Sequence, residues 1–128
     1  MTMKANKILA ALVVTGLAAC GGGYSGGGGG GGGQSGTFSC DQQLGGFHSC
    51  NDYNWNGGNY STSSWNAACS MGGGTSGSGC SHSSAIGGCE IKSTSGAVSI
   101  TSITWYYSGS SATVKSACSS VKGTYVAP

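Results

Sequence analysis

The apolar positions of this 128-residue chain change period four times, and each change marks a different segment. Near the amino terminus Ile8-Leu9-Ala10-Ala11-Leu12-Val13-Val14 is an unbroken apolar run, preceded by Lys4 and Lys7. From Gly21 to Gly33 the pattern vanishes into glycine, interrupted only by Tyr24 and Ser25. Further on, Cys89-Glu90-Ile91-Lys92-Ser93 alternates, Thr94-Ser95-Gly96-Ala97 supplies a turn, and Val98 to Tyr107 is rich in β-branched and aromatic residues, which predicts a hairpin. In that second strand Val98, Ile100 and Ser102 share one face while Ile103, Trp105 and Tyr107 share the other, so a bulge is expected near Ser102 and Ile103. Thr124 to Val126 adds a candidate edge strand.

Helical spacing occurs in two stretches. Ala112, Val114, Ala117, Cys118 and Val121 form an approximate apolar stripe, and Trp65, Ala68 and Cys69 form a shorter one. In each stretch Ser-Ser precedes the stripe, Ala-Cys sits in its later half, and Gly-Thr follows five residues after the cysteine. Serine suits an N-cap, and glycine suits the position beyond a helix end. The correspondence suggests an internal duplication, with coincidence in a Ser- and Gly-rich chain as the alternative. The expected fold class is a small, disulfide-rich α+β domain: an antiparallel hairpin or small sheet with one or two short helices.

The amino-terminal run is too short to span a bilayer, which takes about 20 residues. With its lysines and the small residues behind it, it reads as an export signal. Leu17-Ala18-Ala19-Cys20 resembles the lipobox of bacterial lipoproteins at all four positions. That resemblance implies cleavage before Cys20, a diacylglyceryl group on its thiol, and acylation of the new amino terminus, a palmitate-type anchor. Residue 21 is Gly rather than Asp, which in the same resemblance implies sorting to the outer membrane, on its periplasmic or cell-surface face. The domains expected are therefore a signal peptide over 1–19, a lipidated cysteine and Gly-rich disordered tether over 20–36, and a globular domain over 37–128. As a flexible coil, the tether and the first residues of the domain reach about 25 Å. With no strand before the glycines, they carry no phosphate-binding motif.

Six cysteines follow in the domain: Cys40, Cys50, Cys69, Cys80, Cys89 and Cys118. An exported domain of this size buries little apolar surface and needs staples, so three disulfides are expected, each contributing about 2–4 kcal/mol. Fifteen pairings are open, and Cys89–Cys118, joining strand to helix, is the preferred single bridge. Beyond the signal, the ionic side chains are Asp41, Asp52, Glu90, Lys92, Lys115 and Lys122, three of each sign. No basic patch exists to hold nucleic acid. The partners left are the membrane, reached through the lipid, and a protein or glycan.

The domain also resembles small six-cysteine bacterial lipoproteins, through Gly87-Gly88-Cys89, Trp105-Tyr106-Tyr107, Ala117-Cys118 and Gly123-Thr124. That resemblance implies architecture and address, and no mechanism.

Four kinds of chemistry are open to these residues. Tyr53, Trp55, Tyr60 and Trp65 alternate with Asn51, Asn54, Asn56 and Asn59, a mixture of flat apolar faces and amides suited to sugar rings. The competing reading makes these rings the cover of the disulfides. Asp52, Asn54 and Asn56, with Gly57 in the sixth position, open like a calcium loop, but Ser63 stands where a bidentate Glu is required, so calcium would be held only weakly. His48-Ser49-Cys50 and Cys80-Ser81-His82 are mirrored pairs that would suit zinc, although their spacing fits no zinc module and export favours disulfides. Catalysis finds least support: His48, Asp52 and a serine form a set available in almost any chain, and no nucleophile elbow occurs. The expectation is a lipid-anchored envelope protein with a structural or binding role, no cofactor and no catalytic activity; carbohydrate binding, to peptidoglycan or a surface glycan, is the alternative.

Overall fold

The computed structural model describes residues 33–128. The signal, Cys20 and most of the glycine tract lie outside the described residues. Eight elements follow one another: β1 (Gly36–Leu44), β2 (Phe47–Asn56), α1 (Thr62–Met71), β3 (Gly74–Gly77), β4 (Gly87–Ser95), β5 (Val98–Tyr106), α2 (Ser111–Ser120) and β6 (Thr124–Val126). The strands form one antiparallel sheet in the order β3-β1-β2-β5-β4-β6. This is a small disulfide-rich α+β domain.

That order is palindromic by repeat. In each half a hairpin leads to a ten-residue helix and then to a short strand that returns beside the hairpin's first strand. The halves superimpose in sequence at a constant offset of 49 residues: Cys40 on Cys89, Thr62 on Ser111, Cys69 on Cys118 and Gly74 on Gly123. The helical correspondence read from the sequence is thus one end of a repeat that includes the hairpins. The second hairpin is longer, so β2 and β5 superimpose at an offset of 53. The pairs Cys50↔Trp105 and Asp52↔Ile103 then exchange places, and a local pseudo-twofold axis falls on Asn51↔Thr104. There the Thr104 hydroxyl donates to the Asn51 side-chain oxygen at 2.7 Å.

One cross-strand row runs Ser76, Cys40, Asn51, Thr104, Cys89, Tyr125. Residues directly opposite one another in a sheet share a face. Both strand cysteines therefore point to the same side, and both helices pack there, locked by Cys40–Cys69 and Cys89–Cys118. The core lies beneath them as two clusters. Phe38, Cys40, Trp55 and Cys69 form one, with Tyr53, Tyr60, Trp65 and Ile100 against it. Cys89, Tyr106, Val114 and Cys118 form the other, with Phe47, Ile86, Ile91 and Tyr125. Ile100 of the second hairpin serves the first cluster, and Phe47 of the first hairpin serves the second, so the halves exchange one apolar side chain each.

Two expectations change. The first hairpin, β1 with β2, is not among the strands expected from sequence: Asn51 to Asn56 alternates polar and aromatic because it is a strand with Tyr53 and Trp55 turned to the core, not a calcium-type loop. The bulge expected near Ser102 is absent, since β5 pairs without interruption against both β2 and β4. Its apolar residues change phase because this central strand buries side chains on both faces, Ile100 and Tyr106 under the helices and Trp105 on the other side. The α2 stripe is also narrower than its spacing suggests: Val114 and Cys118 are buried, whereas Val121 is exposed.

Candidate functional site

The sheet face away from the helices is crossed by the linker between the two repeats, residues 78–86. Contacts at both ends hold it, and at its far end the Ile86 N–H donates to the Tyr106 carbonyl at 2.8 Å. Cys80 is bonded to Cys50 of β2, the disulfide that has no counterpart in the second half, where Ile103 occupies the equivalent strand position. Asp52, two residues along the same face of β2, accepts the Cys80 backbone N–H at 2.8 Å with one carboxylate oxygen and the Trp105 indole N–H at 2.9 Å with the other. The His82 ring lies over Trp105 with centroids 4.1 Å apart, and its Nε2 is 3.6 Å from Asp52.

A second chain of contacts runs beside the first. Asp41 lies 2.7 Å from His48 Nε2, and the His48 ring stacks on Tyr107 with centroids 4.2 Å apart. The Tyr107 hydroxyl donates to the Ser81 carbonyl on the linker. Burial raises the Tyr107 hydroxyl pKa above its ordinary value, and the charges of Asp41 and Asp52 raise it further, so the group stays protonated as a donor. The backbone N–H of His48 meets the Ser108 hydroxyl at 3.4 Å. Two histidine–carboxylate pairs, each stacked on an aromatic ring, thus flank one disulfide. They sit on opposite ends of the Cys50–Cys80 bridge because the sequence mirrors them around those cysteines.

This arrangement corrects the zinc reading: Cys50 and Cys80 are bonded to each other and have no thiolate to give. Among the described residues, no group of three or more His, Cys, Asp or Glu is placed to hold a metal. Asp52, Asn54 and Asn56 lie along extended β2 rather than in a loop, and both Asp52 oxygens are engaged. His48 is paired with Asp41 rather than Asp52.

The aromatic candidates come together on the helix face. Trp65 stands edge-on to Tyr53 at 4.9 Å and meets Trp55 at 5.2 Å, while Tyr60 lies 5.9 Å from Trp65. Trp55 is 7 % exposed, and burial raises the Tyr53 pKa. Gly36 lies flat on the Trp55 ring, so close that a Cβ there would collide with it. Tyr60 and Trp65 remain half-buried at the rim. Of the amides expected beside these rings, Asn54 and Asn56 alternate onto the opposite face of β2, and Asn51, on the same face as the rings, accepts the Thr104 hydroxyl. Asp41, Trp105, Tyr107 and Ser81 join this site although the sequence gives none of them a site role; only the mirrored His–Cys pairs mark the place.

Comparison of the chain with protein-family models, curated proteins and solved structures returned no match.

Proposed function

We propose that this is a lipid-anchored bacterial envelope protein that displays a stapled domain on a glycine tether, in a structural or binding role without catalysis. The observation that carries this reading is the cysteine pairing. All six domain cysteines pair with one another, as suits an oxidising compartment, and Cys20 is left outside the set as the acceptor for lipid. The two histidine–carboxylate pairs fit this reading as fasteners, since each is engaged with a ring that touches or borders the linker. The test is expression of the full chain and of Cys20→Ser in a bacterial host. The parent chain should fractionate with the outer membrane and give a mature mass starting at an acylated Cys20; the variant should lose both properties. A parent protein that is released without lipid would refute the anchor.

A second reading, glycan contact, is favoured by the half-buried rims of Tyr60 and Trp65 beside buried Trp55. Under it, Trp65→Ala lowers affinity for peptidoglycan fragments at a temperature where the variant, weakened by its lost contacts with Phe38, Tyr53 and Trp55, is still fully folded. Equal retention of parent and variant on those glycans removes it.

A further inference from the structure

The three disulfides differ in what covers them. The sulfurs of Cys40–Cys69 lie under the backbone of Gly74, where a Cβ would come within 2.7 and 2.8 Å of them. Those of Cys89–Cys118 lie under Gly123 in the same way, at 2.5 and 2.8 Å. All four of these cysteines are between 2 and 6 % exposed. The third bridge has no such glycine. Cys50 is buried on the central strand, but Cys80 is only half-buried and belongs to a linker whose neighbouring residues Gly79, Ser81 and His82 are exposed. A Cβ built on Gly79 meets nothing within 4 Å.

We infer that Cys50–Cys80 is a thiol-exchange site whose reduction unfastens the inter-repeat linker from the sheet while both halves stay folded. The co-reactant is a small or protein-borne thiol. Its thiolate attacks Cys80 Sγ, the Cys50–Cys80 bond breaks, and Cys50 leaves as a thiolate that takes up a proton. A second thiol attacks the mixed disulfide on Cys80, so two external thiols are oxidised to a disulfide and both cysteines end as thiols. Attack falls on Cys80 because the approach to Cys50 is closed by the sheet. Ile86, whose N–H donates to the Tyr106 carbonyl at 2.8 Å and which packs in the second cluster, stays with the sheet and ends the released segment. Before it, what remains on the linker is the Asp52 contact to Cys80 N–H, the Tyr107 bond to Ser81 and the half-exposed His82 ring over Trp105. These contacts are individually reversible, and they hold the linker only because the covalent bond keeps it near. Release uncovers Trp105 and Asp52 at the centre of this face, beside the pseudo-twofold axis. The two halves keep their own strand–helix bridges and the uninterrupted β2–β5 pairing. This inference stands independently of the lipid anchor.

The experiment treats the purified full chain with graded glutathione, traps thiols with iodoacetamide, maps the labelled cysteines, and follows amide hydrogen exchange in parallel. Cys50 and Cys80 should be labelled at least tenfold faster than the other four, with accelerated exchange confined to 78–85. Labelling of Cys40, Cys69, Cys89 or Cys118 first, or of all six together, overturns the inference. So does reduction of Cys50–Cys80 that leaves the linker amides protected. The double variant Cys50→Ala with Cys80→Ala should show the same local exchange without reductant. Global exchange or failure to fold in that variant would make the bridge a staple of the whole domain, and would also overturn the inference.

Discussion

The two halves of this domain share one plan and fill it differently. Each has a hairpin, a ten-residue helix, a return strand and a bridge spanning 29 residues. The first half packs its helix with aromatic rings: Trp65 of α1 meets Phe38, Tyr53 and Trp55. The second uses a smaller aliphatic side chain, Val114 of α2, over Tyr106. The helix ends differ as well. Ser110 caps α2 by accepting the Thr113 N–H, whereas the Ser61 hydroxyl turns to Ser63 and caps nothing. Beyond the helix, Gly73 takes a positive φ in the first half and Lys122 takes it in the second. What both halves retain is the cysteine pair and the glycine pressed on it. The constraint common to both copies is therefore the stapled strand–helix contact, while the packing around it is free to diverge.

Several substitutions would break or sharpen that comparison. The largest effect is expected for Trp55→Ala, about 4 kcal/mol by chemical denaturation, because the ring is buried with those of Tyr60 and Trp65 against it. In the second half Trp105, as deeply buried but on the linker face, should come close to it, whereas Val114, which fills the place beneath α2, should cost less. Next come the paired cysteines. Replacing Cys40 and Cys69 together, or Cys89 and Cys118 together, by alanine should cost about 3 kcal/mol in either half, since the closed loops have the same length. Unequal losses would show that strain or packing, not chain entropy, sets the value of each staple.

Gly74→Ala and Gly123→Ala should each cost about 2 kcal/mol by forcing a methyl onto two sulfurs. The caps separate the halves more sharply: Ser110→Ala should lower stability by about 1 kcal/mol and Ser61→Ala should leave the melting temperature unchanged. Lys122→Gly should raise stability by about 1 kcal/mol, because the lysine occupies a left-handed backbone conformation that its own counterpart meets with glycine. The smallest effect concerns alkaline pH. Burial raises the pKa of Tyr53 in one half and of Tyr106 in the other above the ordinary tyrosine value of 10.0. Above that pH the unfolded chain releases protons that the folded one keeps, so stability falls as pH rises past it and is flat below. Tyr53→Phe and Tyr106→Phe should each flatten that decline in a pH series of urea melts.

The second half was the more legible in sequence. Its β4–β5 hairpin carries β-branched residues and a turn, its helix carries a capping serine and a stripe, and the Cys89–Cys118 bridge follows from placing one cysteine on each. The first hairpin escaped because Asp41, Gln42, Gln43, Asn51, Asp52, Asn54 and Asn56 are residues that strands use sparingly. The alternation from Asn51 to Asn56 is visible in the sequence, but the same residues suit a sugar or calcium ligand set as well as a strand of period two. Had the repeat been extended from Cys69 and Cys118 back to Cys40 and Cys89, the strand would have followed. The linker face was half legible. Mirrored His–Cys pairs marked its centre, but Asp41 and Tyr107 reach it only through register, which no local pattern encodes.

The claim on which the account rests is that two equivalent halves are each closed by their own strand–helix bridge. Peptide mapping of the unreduced protein tests it directly. The account predicts Cys40–Cys69, Cys89–Cys118 and Cys50–Cys80 as the only cross-linked pairs; a bridge from Cys40 or Cys69 to Cys89 or Cys118 would contradict it.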